Sequence, residues 1–319
     1  MLRKFAYNKI FRTTGMLLLF LLLILFPASK EYTLDDIKTV KTSSDIKKNE
    51  VFLIDKEGYV ARSKVSISYS NSKDYAKKLI ELLIIGGKYE EKIPNGFKAI
   101  IPTDTKINGI SINNDEITID LSKEFLELKD ESEEKAIEAL TYNLTSIDNI
   151  SKVYILVDGK KISMLNSSKK NVIQPFTRKD GINKKYDVTN YKDVNKTTVY
   201  YVSKANNDFY YVPITRVNND KRDKIKIIID ELTSSHIYET NLMSYLNAST
   251  TLNDYELIGD NLKLNFNELL LSDPDSNKIL EEVIYTIGLS INDVYDNLET
   301  VSFYVNDNEI YTLTLSELK

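Results

Sequence analysis

The chain has 319 residues, 42% of them hydrophobic, with a formal net charge of -5 and a pI near 5.3. That length holds two ordinary domains plus an anchor and a tether, and the acidic balance argues against nucleic acid, which demands a concentrated basic face. Cysteine is absent and His236 is the single histidine. This removes thiolate chemistry, disulfides, zinc–thiolate sites and the acylated cysteine of a lipoprotein, so no metal and no cofactor is expected.

In chain order, Arg3, Lys4, Lys9 and Arg12 precede an unbroken apolar run from Met16 to Phe26, followed by Pro27-Ala28-Ser29-Lys30. Positive charge ahead of an apolar stretch holds the leading end in the cytoplasm and sends the downstream chain across the membrane. The run is shorter than the roughly 20 residues that span a bilayer comfortably, which suits a signal peptide. Phe26, however, would occupy a cleavage-site position that prefers small residues. Residues 1–30 therefore read as an uncleaved signal anchor, giving a single-pass membrane protein with its domains outside the cytoplasm. A cleaved signal and a secreted product are the alternative. Residues 31–49, rich in Lys, Asp, Thr and Ser, read as a polar tether.

The first domain is placed at 50–165. Short β-branched and aromatic runs predict strands over Val51 to Ile54, Tyr59 to Ile67, Thr105 to Ile112, Glu116 to Leu121 and Lys152 to Asp158. A helix over Asp74 to Ile85, capped by Ser72 and stopped by Gly86-Gly87, puts Tyr75, Leu79, Leu82 and Leu83 on one face. A second helix is expected over Glu133 to Ile147. Residues 166–196 lose the pattern and read as a basic, solvated linker that leaves the domains independent. The second domain occupies 197–319, with helices expected over Asp220 to Ser234 and Asp275 to Ser290, the latter introduced by Ser272-Asp273-Pro274.

These elements repeat. Val51-Phe52-Leu53-Ile54 corresponds to Val199-Tyr200-Tyr201-Val202, Glu116 to Ser122 to Asn261 to Asn267, Ala136 to Ile147 to Ile279 to Ser290, and Val153 to Gly159 to Val301 to Asp307. The offset drifts between roughly 143 and 148 residues as loops absorb length changes. Each copy reads β-β-α-β-β-α-β-β. The expected fold class is α+β: two tandem homologous domains, each a mixed or antiparallel sheet with two helices on one face, preceded by the membrane segment.

Six pieces carry a resemblance: the opening strand pair, the helix ending Leu79-Ile80-Glu81-Leu82-Leu83-Ile84-Ile85-Gly86-Gly87, then Ile93-Pro94-Asn95-Gly96, then Ile117-Thr118-Ile119-Asp120-Leu121-Ser122-Lys123-Glu124-Phe125, then Tyr142-Asn143-Leu144-Thr145, and the closing run Val153-Tyr154-Ile155-Leu156-Val157-Asp158-Gly159-Lys160. In that order and spacing, repeated, the chain resembles the GerMN domain, a sporulation and spore-germination module that occurs in tandem. Asn265-Phe266-Asn267 and Asn306-Asp307 depart from the pattern in the second copy. The resemblance implies a non-enzymatic, membrane-attached scaffold of the bacterial cell envelope. Its implied partners are an envelope protein assembly or peptidoglycan, with oligomerisation left open. A cell-wall hydrolase or its accessory, and a two-lobed solute-binding protein, are the alternatives.

Asp120, Glu124 and Glu127 could form a carboxylate set for glycan hydrolysis, but Asp120 becomes Asn265 in the second copy, which favours a structural role, so no catalytic residue is assigned. Asp158-Gly159 and Asn306-Asp307 suit two-residue hairpin turns. Asp273, Asp275 and Asn277 alternate like part of a calcium loop but lack its glycine and closing glutamate. The candidate partner-binding residues are Tyr200, Tyr201, Tyr210 and Tyr211. Neighbouring strand residues face opposite sides, so one tyrosine of each doublet is expected to point outward as part of an aromatic strip.

Overall fold

Val51 to Ile54 and Val60 to Val65 fit a pleated, buried surface. They pair as an antiparallel hairpin, β1 (Lys48–Asp55) with β2 (Val60–Ser66). The computed structural model describes residues 48–129, 131–205, 208–234, 241–273, 277–295 and 297–318. The signal anchor expected over 1–30 and nearly all of the tether lie outside the described residues. Among those described, no helix is long and apolar enough to cross a membrane.

After the hairpin comes α1 (Ser72–Leu83), which buries Tyr75, Leu79, Leu82 and Leu83 as its periodicity predicts. Its cap is Asn71, not Ser72: the Asn71 side chain accepts a hydrogen bond from the Asp74 N–H at 2.9 Å, and Ser72 is already helical. The chain then adds β3 (Phe97–Lys98) against β1 and continues through β4 (Ile107–Asn113), β5 (Glu116–Leu121), α2 (Glu131–Leu144), β6 (Lys152–Val157) and β7 (Lys160–Lys161). β4-β5-β6-β7 form a mixed sheet in which β5 and β6 are parallel. Parallel neighbours cannot be joined by a tight turn, so α2 supplies the crossover.

The second copy repeats this plan after a short strand β8 (Lys185–Asp187). It runs β9 (Asn195–Ala205), β10 (Asp208–Asn218), α3 (Lys224–Thr233), β11 (Leu252–Ile258), β12 (Asn261–Phe266), α4 (Glu281–Val294), β13 (Thr300–Val305) and β14 (Asn308–Thr314). Its four-stranded sheet, β11-β12-β13-β14, again has one parallel pair in the middle. Both two-residue turns are as expected: Asp158 and Gly159 have φ of 47° and 75°, Asn306 and Asp307 of 47° and 67°. Two successive positive φ values define the hairpin turn whose twist matches its flanking strands.

Three expectations need correction. First, each copy does not keep one sheet. The opening hairpins leave their four-stranded sheets and meet in a composite sheet, β3-β1-β2-β10-β8 with β9 on β10. β2 and β10 touch in register only at Arg62 and Tyr211. Periodicity reveals that β1 is buried along most of its length, but not which neighbour covers it. Second, the helix of the second copy runs one turn later than aligned. The Asn143 side chain accepts from Phe52 N–H at 3.0 Å, and Ser290 Oγ accepts from Tyr200 N–H at 2.9 Å. Phe52 and Tyr200 correspond, so Asn143 corresponds to Ser290, an offset of 290 − 143 = 147 residues rather than the 143 of the sequence alignment. A slip of four residues almost preserves an apolar stripe of period 3.6, so pattern alone cannot detect it. Accordingly Ser272-Asp273 does not start the helix: Asp273 bridges to Lys278 and α4 begins at Glu281.

Third, the connector is not a solvated linker between independent domains. From Ile46 to Lys319 the chain forms one compact unit. Each copy has its own hydrophobic cluster, one around Leu79, Ile117, Leu140 and Ile155, the other around Ile228, Leu264, Ile287 and Phe303. Phe176 and Ile182 of the connector are buried in the first, and Ala61 of the first copy joins the second. Apolar residues spaced several positions apart in a polar stretch carry no period, so their burial is not legible in the pattern.

Candidate functional site

The copies are joined by buried polar side chains, and a cleft opens above that junction. Asn183 of the connector accepts from Val60 N–H at 2.9 Å, and its Nδ2 donates to the carbonyls of Val60 and Pro213, both at 2.8 Å. One amide thus ties β2 to β10 where their ladder is almost absent. Its own backbone N–H donates to Glu138 at 2.9 Å, and Glu138 also holds Lys184. On the far side, Asp55 accepts from Tyr210 Oη at 3.0 Å and, through its other oxygen, from the N–H groups of Glu57 and Tyr59. Burial pushes the Asp55 carboxyl up despite those donors, and pushes the Tyr210 hydroxyl up to about 12.

The centre of the junction is Arg178. Its guanidinium meets Asp293 at 2.6 Å, Thr145 Oγ1 at 3.0 Å, Ser146 Oγ at 2.9 Å and the Tyr142 carbonyl at 3.2 Å, and it stacks on the Tyr142 ring 4.7 Å from the centroid. Tyr200 Oη donates to the second oxygen of Asp293 at 2.8 Å. The Asp293 side chain is 2% exposed, so this is a buried carboxylate with its partners in place. Burial opposes the charge on Arg178, but the Asp293 carboxylate outweighs it and holds the guanidinium charged. Burial, then the charge of Asp293, push the Tyr142 and Tyr200 hydroxyls well above their usual range.

Above this pair lies an open cleft of ≈ 910 Å³, walled by the start of β1, the ends of α1, α2 and α4, and the Arg178 turn. Its lining mixes aromatic rings, Tyr69, Tyr75 and Tyr295, with hydroxyl and amide groups such as Ser72, Asn149, Asn292 and Ser316.

The four tyrosines singled out in the sequence do not form an outward strip. Tyr200 is 1% exposed, Tyr201 5% and Tyr210 6%, while Tyr211 is half-buried and stacked on Tyr285 at 5.7 Å. Tyr201 Oη donates to Glu231 at 3.2 Å, and Arg216 pairs with the same carboxylate. The alternation of strand residues holds, but both faces of the composite sheet are covered, so neither member of the first doublet reaches solvent. Tyr200 and Tyr210 bind other parts of their own chain, one at Asp293 and one at Asp55.

Asp120 accepts from the turn amide of Gly159 at 2.9 Å, and Asn265 accepts from the equivalent Asp307 at 3.1 Å. The Glu124 carboxyl is lowered by its neighbour Ser122. His236 and Asp275 lie outside the described residues, and among the described residues no group of three or more His, Asp or Glu is placed to hold a metal.

Sequence reading misses Arg178, Asn183 and Asp293. One signal is available: only six of the 42 basic residues are arginine. All four arginines among the described residues, Arg62, Arg178, Arg216 and Arg222, hold carboxylates. Where lysine is the default cation, an arginine marks a site that needs a planar, multidentate donor.

This architecture, a duplicated α+β unit with paired mixed sheets, is that of a known family. The chain belongs to the Germane family, described as sporulation and spore germination, which it matches over residues 50–163 and again over 198–311. It is 32% identical over 280 residues to the spore germination protein GerM of Bacillus subtilis (strain 168), covering 85% of this chain and 75% of that one. The solved tandem GerMN domains of the sporulation protein GerM from Bacillus subtilis superpose with a TM-score of 0.74 at 30% identity, covering 82% of this chain and 91% of that one. The chain is therefore a sporulation- and germination-related protein of tandem GerMN architecture.

Proposed function

We propose that the chain is a non-enzymatic scaffold of the bacterial cell envelope in sporulation or germination, anchored by residues 1–30 and displaying its tandem unit outside the cytoplasm. It acts by contact with an envelope protein assembly or peptidoglycan. Family membership supports the biological setting. The observation that carries the non-enzymatic reading is the shared duty of Asp120 and Asn265: a carboxylate whose place an amide fills accepts a turn hydrogen bond and needs no ionisation. The two-lobed clamp is disfavoured because closing and opening would break the Arg178–Asp293 pair and the Asn183 bonds, so the unit suits a rigid platform. The test is a pull-down of the full-length chain from crosslinked native membranes, alongside digestion of purified wall. Recovery of a defined set of envelope proteins, with wall left intact, is the expected outcome. Solubilised wall fragments that vanish with Asp120→Asn would overturn it.

A further inference from the structure

The cleft above the Arg178–Asp293 pair is lined by charged side chains and by neutral polar and aromatic ones. Two of its charges are spent in buried pairs, Arg178 on Asp293 and Arg62 on Glu50 at 3.1 Å, and Lys152 pairs with Asp115 and Glu116 at 3.3 Å nearer the surface. Asp148 and Lys179 have partners as well, which leaves the exposed Lys48 as the one lining charge without a partner among the described residues. A charged ligand that reached Arg178 or Arg62 would have to break a buried pair, and a buried pair resists that. Apart from Lys48, what the cleft offers is neutral. The side-chain amides of Asn149 and Asn292 line it and have no hydrogen-bond partner among the described residues, so each presents both donors and an acceptor. Tyr69 stacks on Tyr75 with ring centroids 4.0 Å apart and is 43% exposed, so one ring face is fixed and the other is offered.

We propose that this cleft binds an uncharged oligosaccharide. The apolar C–H face of a pyranose packs on Tyr69 as apolar surface packs on any ring, and its hydroxyl or acetamido groups exchange hydrogen bonds with Asn149 and Asn292. The volume of ≈ 910 Å³ lies toward the upper end of the range for small-molecule sites and suits several sugar rings rather than one. The ion pair beneath keeps the two walls at fixed spacing, so little freedom is lost on binding. This goes beyond the scaffold role and does not depend on it: the pull-down can succeed while sugar binding fails, or the reverse.

The test is calorimetric titration of the full-length chain, held in a detergent without a sugar headgroup, with the neutral oligomer chitotetraose. Saturable binding that changes little between low and high salt is expected, because no ion pair forms. Tyr69→Ala should weaken it by about tenfold and Tyr69→Phe leave it nearly unchanged, in line with the worth of ring stacking. Asn149→Ala and Asn292→Ala should each weaken it by about fivefold. All three positions are on the surface of the cleft, and an unchanged melting temperature checks that the variants fold. No binding at about 10 mM sugar, or equal affinity in Tyr69→Ala, overturns the proposal. So does binding confined to an anionic probe, inorganic polyphosphate, and abolished by salt.

Discussion

Asp120 and Asn265 perform one task in the two copies, each receiving the amide hydrogen of a hairpin turn at 2.9 and 3.1 Å. Asp120→Asn should therefore be tolerated, with a change in unfolding free energy within about 0.5 kcal/mol, whereas Asp120→Ala should cost about 0.5–1.5 kcal/mol by removing the acceptor of the solvent-accessible Gly159 N–H. Chemical denaturation measures both. A catalytic carboxylate would give the opposite ranking in function, with Asn as damaging as Ala.

Asn143 makes three bonds with the strand and helix backbone: it accepts from Phe52 N–H, and donates to the Phe52 carbonyl at 2.7 Å and the Ala139 carbonyl at 2.8 Å. Asn143→Ala strands two buried backbone groups and should destabilise by about 3–4 kcal/mol. Ser290→Ala strands only Tyr200 N–H and should cost about 1–2 kcal/mol. Equal losses on urea titration would show that the two helices do not hold their strands in this graded way.

Removing Arg178 leaves Asp293 buried and unpaired, so Arg178→Ala should cost about 3–5 kcal/mol. Asp293→Asn keeps an acceptor for Tyr200 Oη and should cost less. Because the copies share a sheet and this pair, the unaltered protein should unfold residues 46–319 in one transition. Arg178→Ala combined with Asn183→Ala should split that transition in two by calorimetry. A split already present in the unaltered chain would contradict a cooperative junction.

Glu133 is 4% exposed and accepts from the N–H groups of Ser167 at 2.7 Å and Ser168 at 3.0 Å. Burial alone would raise its carboxyl, but these bonds outweigh it and the net shift is downward from 4.5. A lowered folded value means that the ionised form favours the native state. Its contribution is complete above the unfolded value and disappears as pH falls through the folded one. Glu133→Gln should therefore lower the melting temperature at pH 7 and converge on the unaltered protein under acid conditions. A constant difference at all pH values would remove the carboxylate from the explanation.

The parts legible in the sequence are those governed by local rules. Asp158-Gly159 and Asn306-Asp307 need only positive φ at adjacent positions, and the apolar stripe of α1 needs only its period. What escapes is set by partners distant along the chain. Asn183 looks like any polar residue in a Lys-rich connector, yet it bridges Val60 and Pro213. Tyr200 is legible as a strand residue, but whether a strand face meets water depends on a sheet assembled from both copies. The helix slip shows the same limit from another direction: period fixes which face is apolar, whereas Asn143 and Ser290 fix the register. For the cleft, the Tyr69–Tyr75 stack joins a loop residue to a helical one six positions on, a spacing that no regular period brings together.

Lys48 begins β1, and the seven register positions from Lys48 to Ile54 lie antiparallel against β2 in the interior of the composite sheet. A pull applied at Lys48 along the axis of β1 loads those pairs in shear. Bonds loaded that way must yield together, whereas a peeled hairpin gives them up one after another.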